Sequence, residues 1–188
     1  YQAQGVWPLI PSSISNSAWI SYGTISALDT SWQTNAITYD VFGNVFTAGY
    51  YNTGSENDLL FSKYNSSGVL QWSRSLSSIS ARAAISLDTN GYIYVAGGTG
   101  TAISWAKYNP TPTIQTQKYI TNSSTQTVFY GNAVDSSSNS YLVGRDASNK
   151  LYLAKIDSSG TFVYDKTLTG GGGGNHVGVT LDSSGNIY

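Results

Sequence analysis

The sequence predicts an all-β fold, on three observations. An aspartate recurs at Asp40, Asp88, Asp135 and Asp182, at intervals of 48, 47 and 47 residues. Six residues after each comes an aromatic ring, at Phe46, Tyr94, Tyr141 and Tyr188, and nine after the first three comes a glycine, at Gly49, Gly97 and Gly144. Each interval holds four short apolar or aromatic stretches. Their alternation and β-branched content argue strand, with no sustained 3.6-residue stripe. Four antiparallel strands at this period match one blade of a β-propeller. A lone four-stranded sheet has two faces to bury, so such units must stack. A β-solenoid is the structural rival, but its rungs are usually shorter and lack the four-strand meander.

Taken in order, residues 1–17 read as a linker or docking segment, with Pro8 and Pro11 interrupting regular structure. Residues 18–35 read as the end of a preceding blade. Blades follow at 36–83, 84–131 and 132–178, and residues 179–188 start a further one. In the first blade the strands are expected at 36–40, 45–49, 59–64 and 69–76. The turn between the first two strands is "DVFGN" in the first blade and "DSSGN" in the last. Asp caps such a turn by accepting hydrogen bonds from backbone N–H groups beyond it. Gly43, Gly91 and Gly185 are predicted to take positive φ there. The third unit has Ser138 at that place, and Asn139 beside it is expected to carry the left-handed conformation.

Between the third and fourth strands, "NSSG" (65–68) and "DSSG" (157–160) repeat the same chemistry. Lys63, Lys107 and Lys155 recur in the modules 59–72, 103–119 and 151–164, and Trp72, Tyr119 and Tyr164 close those modules. The lysine stems are expected to pack on the sheet with the ammonium groups in water. The chain opens at Tyr1 without a signal-peptide pattern and stops at Tyr188, inside what reads as a second strand. Both ends are therefore expected to be cuts in a longer polypeptide. The blade count stays open.

The stretches "GNAVDSSSNSYLVG" (131–144), "VTLDSSGNIY" (179–188) and "LAKIDSSGTFVY" (153–164) resemble the SBBP-type β-propeller repeat. That repeat is an Asp-x-x-Gly-Asn-x-Tyr phrase, then Gly, then a Lys-containing strand, then Gly and an aromatic. It maps onto Asp182, Gly185, Asn186 and Tyr188, and onto Lys155, Gly160 and Tyr164. The resemblance spans residues 36–188. It implies a propeller of the kind found in secreted bacterial proteins and in large virion structural proteins of tailed phages, cyanophages included. The Ser/Thr/Asn/Tyr-rich texture, without Cys or Met, is similar to phage tail and fibre proteins. A fold-level likeness implies no activity.

Composition narrows the partners. With 188 residues the chain is long enough for a real core. Nine Lys and Arg face ten Asp and Glu, so no basic patch is available for a nucleic-acid backbone, and no nucleic-acid partner is expected. No apolar run approaches the roughly 20 residues of a spanning helix. The lack of Cys excludes disulfides, thiolate nucleophiles and Cys-ligated zinc.

The chemical motifs are sparse. Each anchor turn supplies one carboxylate, whereas calcium takes six to eight oxygens from clustered ligands, so turn capping is the better reading. "GGGGGNH" (170–176) lacks the Lys-Ser/Thr tail of a phosphate-binding loop and reads as an inter-blade linker. His176 is the sole histidine, and no G-x-S-x-G elbow accompanies it. No metal and no cofactor are expected. Glu56 and Asp58 share one polar loop, where both are expected to stay solvated rather than form a glycosidase pair.

Topology is more informative. A meander puts its stereotyped Asp/Gly turns at one end and its variable connections at the other. The variable set is 50–58, 77–83, 98–102, 121–131, 145–150 and 169–176. Variable loops on a rigid scaffold are where binding usually resides. That face would carry Tyr50, Tyr51, Glu56, Asp58, Arg82, Phe129, Arg145, Asp146 and His176, a mixture suited to glycan stacking or protein contact. Plain inter-blade loops are the alternative. The expected function is a non-enzymatic structural module of a virion surface or extracellular protein. Its partners would be a host-surface glycan or neighbouring subunits. A secreted bacterial adhesion or matrix protein and a propeller-fold carbohydrate-active enzyme are the other readings.

Overall fold

A computed structural model describes residues 32–52, 57–79, 81–98, 102–121, 128–172 and 177–188. These residues form three four-stranded antiparallel sheets and no helix. The first sheet runs β1 (Trp32–Tyr39), β2 (Val45–Asn52), β3 (Asn57–Tyr64), β4 (Leu70–Ile79). The second runs β5 (Ala81–Leu87), β6 (Ile93–Gly98), β7 (Ala102–Tyr108), β8 (Ile114–Thr121). The third runs β9 (Val128–Val134), β10 (Ser140–Arg145), β11 (Lys150–Ile156), β12 (Phe162–Gly172). Spatial order follows chain order in each, so every sheet is an up-and-down meander. Residues 1–17, and 18–31 of the predicted preceding unit, lie outside the described residues.

The strands outrun their apolar stretches. β4 continues through 77–79, β12 through 169–172, and β9 already begins at Val128. The sheets accordingly start at Trp32, Ala81 and Val128, earlier than the 36, 84 and 132 that the periodicity suggests. Backbone pairing, not side-chain hydrophobicity, extends them.

The turns show why the repeat phrase has its letters. Asp40 Oδ1 accepts from the N–H groups of Phe42 (3.0 Å) and Asn44 (2.9 Å), and its Oδ2 accepts from Asn44 Nδ2 (2.7 Å). Asp135 does the same with Ser137 and Asn139, and Asp182 with Ser184 and Asn186. Asp88 lacks the asparagine; its Oδ2 accepts from the Tyr94 hydroxyl at 2.9 Å, a bond that Asp135 also receives from Tyr141. Gly43, Gly91 and Gly185 have φ of 77, 78 and 82°. In the third unit Ser138 itself has φ 65°, which corrects the expectation for Asn139. Ser138 N–H makes the turn-closing bond to Asp135 O at 2.9 Å, so the conformation is fixed at this position in the turn. Asn139 serves as the side-chain donor. Left-handed backbone costs a non-glycine residue about 1 kcal/mol. Ser138→Gly is therefore expected to stabilise the protein by about 0.5–1 kcal/mol, less the weak 3.3 Å bond from Ser138 Oγ to Asp88. Thermal melting of the two proteins checks it, and a lower melting temperature in the variant would contradict it.

The recurrent lysines also have a defined place. Each pairs directly across the sheet with the aromatic six residues after the aspartate: Lys63 with Phe46, Lys107 with Tyr94, Lys155 with Tyr141. The ammonium groups sit 5.2, 5.2 and 5.0 Å from those ring centroids. The Tyr94 and Tyr141 hydroxyls in turn donate to Asp88 and Asp135. Aspartate, ring and lysine thus form one cross-strand cluster, stabilised by cation–π attraction and charge-assisted hydrogen bonds.

The core lies between sheets. Phe46, Ala48, Leu59 and Phe61 of the first sheet pack on Ile85, Ile93, Val95 and Tyr108 of the second. Tyr94, Ala96, Ile103 and Trp105, on the second sheet's other face, pack on Leu142, Tyr152, Ala154 and Ile156 of the third. Each sheet therefore presents the same face to the one before it. Ile85, three residues before Asp88, is 4% exposed beneath the first sheet; Ile37, three before Asp40, is 70% exposed. Tyr39, Val41 and Phe42 beside it are exposed too.

Candidate functional site

The first strands of the three sheets, β1, β5 and β9, pack against one another. The start of the terminal segment joins them, with Val179 against Gly131 of β9. Each of the three strands carries a bulge near its beginning. In β1 the register skips Asn35, in β5 it skips Arg82, and in β9 it skips Tyr130. A bulge leaves one residue unpaired and re-aims its side chain. The three residues that the register skips line one cavity of about 310 Å³, completed by Val177 and Gly178.

The repeated glycine makes these bulges possible. A Cβ on Gly49 would overlap the Gln33 carbonyl, and one on Gly144 would overlap the Val128 carbonyl. The bulged strand crosses its neighbour too closely there for any side chain. The fixed glycine thus belongs to the scaffold, and the residues it aims, Asn35 and Tyr130, differ from unit to unit.

Within the cavity the Arg82 guanidinium lies over the Tyr130 ring, 4.9 Å from its centroid. Arg82 has φ 60°, a left-handed conformation for a long side chain. Asn35 Oδ1 is buried without a hydrogen-bond partner among the described residues. The lining thus combines a cation held over an aromatic ring, a side-chain amide, and the small or apolar Gly178 and Val177. It can bind; among the described residues it brings no pair of carboxylates together. Nor do three His, Asp or Glu side chains gather anywhere among the described residues.

Of the residues expected on the variable face, Arg82 lines this cavity. Phe129 does not belong to a loop at all: it lies in β9, pairs with Gly144, and is 0% exposed against Tyr152. Burying a phenyl ring is more favourable than displaying it to water, so Phe129 is core. Tyr50 sits in β2, half-buried against the first inter-sheet cluster. Tyr51 pairs across to Asp58, which lies in β3 rather than in a loop. Arg145 ends β10 and donates to Asn149 Oδ1 at 2.8 Å. Asp146 caps a turn, accepting from Lys150 N–H at 2.9 Å, with Asn149 at φ 61° in the glycine position. Asp146 thus has a turn-capping part that the sequence reading did not assign to it, and "DASN" carried the signal. Glu56 and His176 lie outside the described residues. Asn35 and Tyr130 were missed because a bulge is a pairing irregularity, visible only once the partner strand is known.

The turn carboxylates are expected to contribute to acid stability. Burial pushes the Asp135 carboxyl upward, but hydrogen bonds from Asn139, Tyr141 and Ser137 outweigh it and hold the group below the usual 3.8. At Asp40, burial is likewise outweighed by Asn44 and Phe42. A depressed folded-state pKa stabilises above the unfolded value and loses that contribution as pH falls through the folded value. Stability is therefore expected to change little from roughly pH 7 to 5 through these groups and to fall below about pH 4. Melting curves across that range test this. Asp135→Asn should show a shallower acid decline, and an unchanged slope would contradict the assignment.

No family model matches the sequence, and no curated protein is found similar to it. Among solved structures, the chain is similar to a protein of unknown function from Bacteroides caccae, with a TM-score of 0.60 and 11% identity. The match covers 85% of this chain and 53% of that one, so this chain spans about half of that protein's length. At that identity the likeness concerns the fold alone. The class of protein that fold and cavity define is an all-β protein of serial four-stranded antiparallel sheets.

Proposed function

We propose that the chain is a non-enzymatic structural and binding module of a virion surface or other extracellular protein, its three sheets being consecutive blades of an SBBP-type β-propeller. The observation that carries the binding reading is a division of labour. The recurrent aspartates and lysines are engaged in turns and cross-strand clusters, while the divergent Asn35, Arg82 and Tyr130 collect at one cavity. The blade reading is supported by the contrast between Ile85 and Ile37: the bare first-sheet face has the shape of a position that a preceding unit covers elsewhere. A neighbouring blade or subunit fits there, and a surface glycan fits the cavity end.

A glycan array with parallel assay of polysaccharide turnover tests the proposal. Binding without cleavage is expected. Cleavage that disappears on Glu56→Gln or Asp58→Asn would overturn the non-enzymatic reading. Location of the gene among tail or capsid genes would favour the virion over a bacterial matrix protein.

A further inference from the structure

We infer that the cavity between β1, β5 and β9 is a site for a carboxylated sugar, with Arg82 as its anion-binding residue. The inference rests on the glycan-binding reading above and names the class of glycan and the residues that take it. Arg82 makes its stacking contact with Tyr130 and no ion pair or hydrogen bond among the described residues. A guanidinium presents its donors in a planar fork that matches a carboxylate bidentately. Stacking on an aromatic face fixes the plane of that fork without occupying its donor edge. The Tyr130 ring thus orients the cation and leaves its hydrogen-bonding edge for a ligand.

The neighbouring chemistry selects a sugar over a bare anion. Asn35 also lines the cavity, and a side-chain amide both donates and accepts, so its oxygen calls for a donor from the ligand. A sugar hydroxyl supplies one; a simple carboxylate supplies none. Val177 and Gly178 give an apolar, uncrowded wall, and Gly178 has open space where a Cβ would be. That wall suits the C–H face of a pyranose ring. The volume, about 310 Å³, lies at the low end of small-molecule sites, which favours one or two sugar residues at a chain end.

The backbone supplies independent support. Three bulges on three separate strands converge on one space, and one of the bulged residues is an arginine at positive φ. Strained, non-glycine backbone persists where the surroundings over-determine it, often at binding sites. A glycine would relieve the strain at 82 but remove the guanidinium.

The test is calorimetric titration of the folded protein with D-glucuronate, glucose and acetate. Glucuronate is expected to bind at least tenfold more tightly than either glucose or acetate. Arg82→Gly should melt no lower than the parent protein and lose glucuronate binding at least tenfold. Arg82→Lys keeps the charge without the fork and should bind several-fold more weakly than the parent. Asn35→Ala should narrow the gap between glucuronate and acetate. Equal binding of glucose and glucuronate, or unchanged binding in Arg82→Gly, would overturn the site. Acetate binding as tightly as glucuronate would overturn the sugar assignment. If the parent binds array glycans and Arg82→Gly binds them equally well, this site fails while the general binding reading survives; if the parent binds no glycan, both fail.

Discussion

Trp105→Ala is expected to destabilise the protein by about 3–5 kcal/mol, among the largest effects any single core truncation produces. Trp105 is 0% exposed and lies at the interface between the second and third sheets. Its ring stands 6.1 Å from that of Tyr94, and its Nε1–H donates to Ser140 Oγ at 3.0 Å. Gly160, in a turn of the third sheet, approaches so closely that a Cβ there would lie 2.8 Å from the indole. Alanine would leave a cavity facing several elements, and rigid sheets on both sides cannot collapse to fill it. It would also orphan the buried Ser140 hydroxyl. Against a typical total of about 5–15 kcal/mol, the loss is a large fraction. Chemical denaturation should show a lower midpoint, and the melting temperature should fall by roughly 6–20 °C. Trp105→Phe keeps most of the volume but leaves Ser140 unpaired, and should cost about 1–3 kcal/mol. A loss under about 1 kcal/mol for alanine would mean the two sheets do not pack this way in solution.

The same indole illustrates what the sequence could disclose. Trp105 sits two residues before the recurrent Lys107, and its strand was legible from alternation. That it would be the plug between two sheets was not, because the partner Ser140 lies 35 residues away and belongs to another sheet. Short-range physics was readable. The Asp-x-x-Gly-Asn turns appear with the capping bonds their letters imply, since aspartate, glycine and asparagine act within five residues of one another. Where letters and geometry diverged, the deciding interaction was non-local or purely backbone. Ser138 took the left-handed conformation because the turn's closing hydrogen bond fixes that position. Phe129 looked like a loop residue because the polar linker before it hides its pairing with Gly144. Asp146 was a missed turn, its asparagine standing where other units have glycine. The cavity lay furthest from sequence logic, since its residues are those that break the period-2 pattern.

That cavity and the repeat glycine are tied together by a second large effect. Gly144→Ala is expected to cost about 3 kcal/mol or more, at or beyond the top of the range for overpacking. Its Cβ would overlap the Val128 carbonyl, with that carbonyl's carbon at 2.8 Å and Phe129 Cα at 2.9 Å. All of these are backbone atoms, so no rotamer change relieves the clash. β9 and β10 would have to part at the bulge, breaking ladder hydrogen bonds and shifting the buried Phe129. Gly49→Ala repeats the experiment in the first sheet, against the Gln33 carbonyl. Gly178→Ala is the control: its Cβ meets nothing within 4 Å, and it should melt near the parent. Urea denaturation separates these cases, and a Gly144→Ala loss no larger than that of Gly178→Ala would show that the bulge is absent in solution. The binding readout should follow the bulge as well. Tyr130 is the residue that the register skips at the Val143/Gly144 irregularity, and the Arg82 guanidinium lies over its ring. Whatever fraction of Gly144→Ala folds should therefore have lost the orientation of the guanidinium and bind glucuronate more weakly. The glycine that reads as a structural constant of the repeat would then be what lets the neighbouring, variable residue face a ligand.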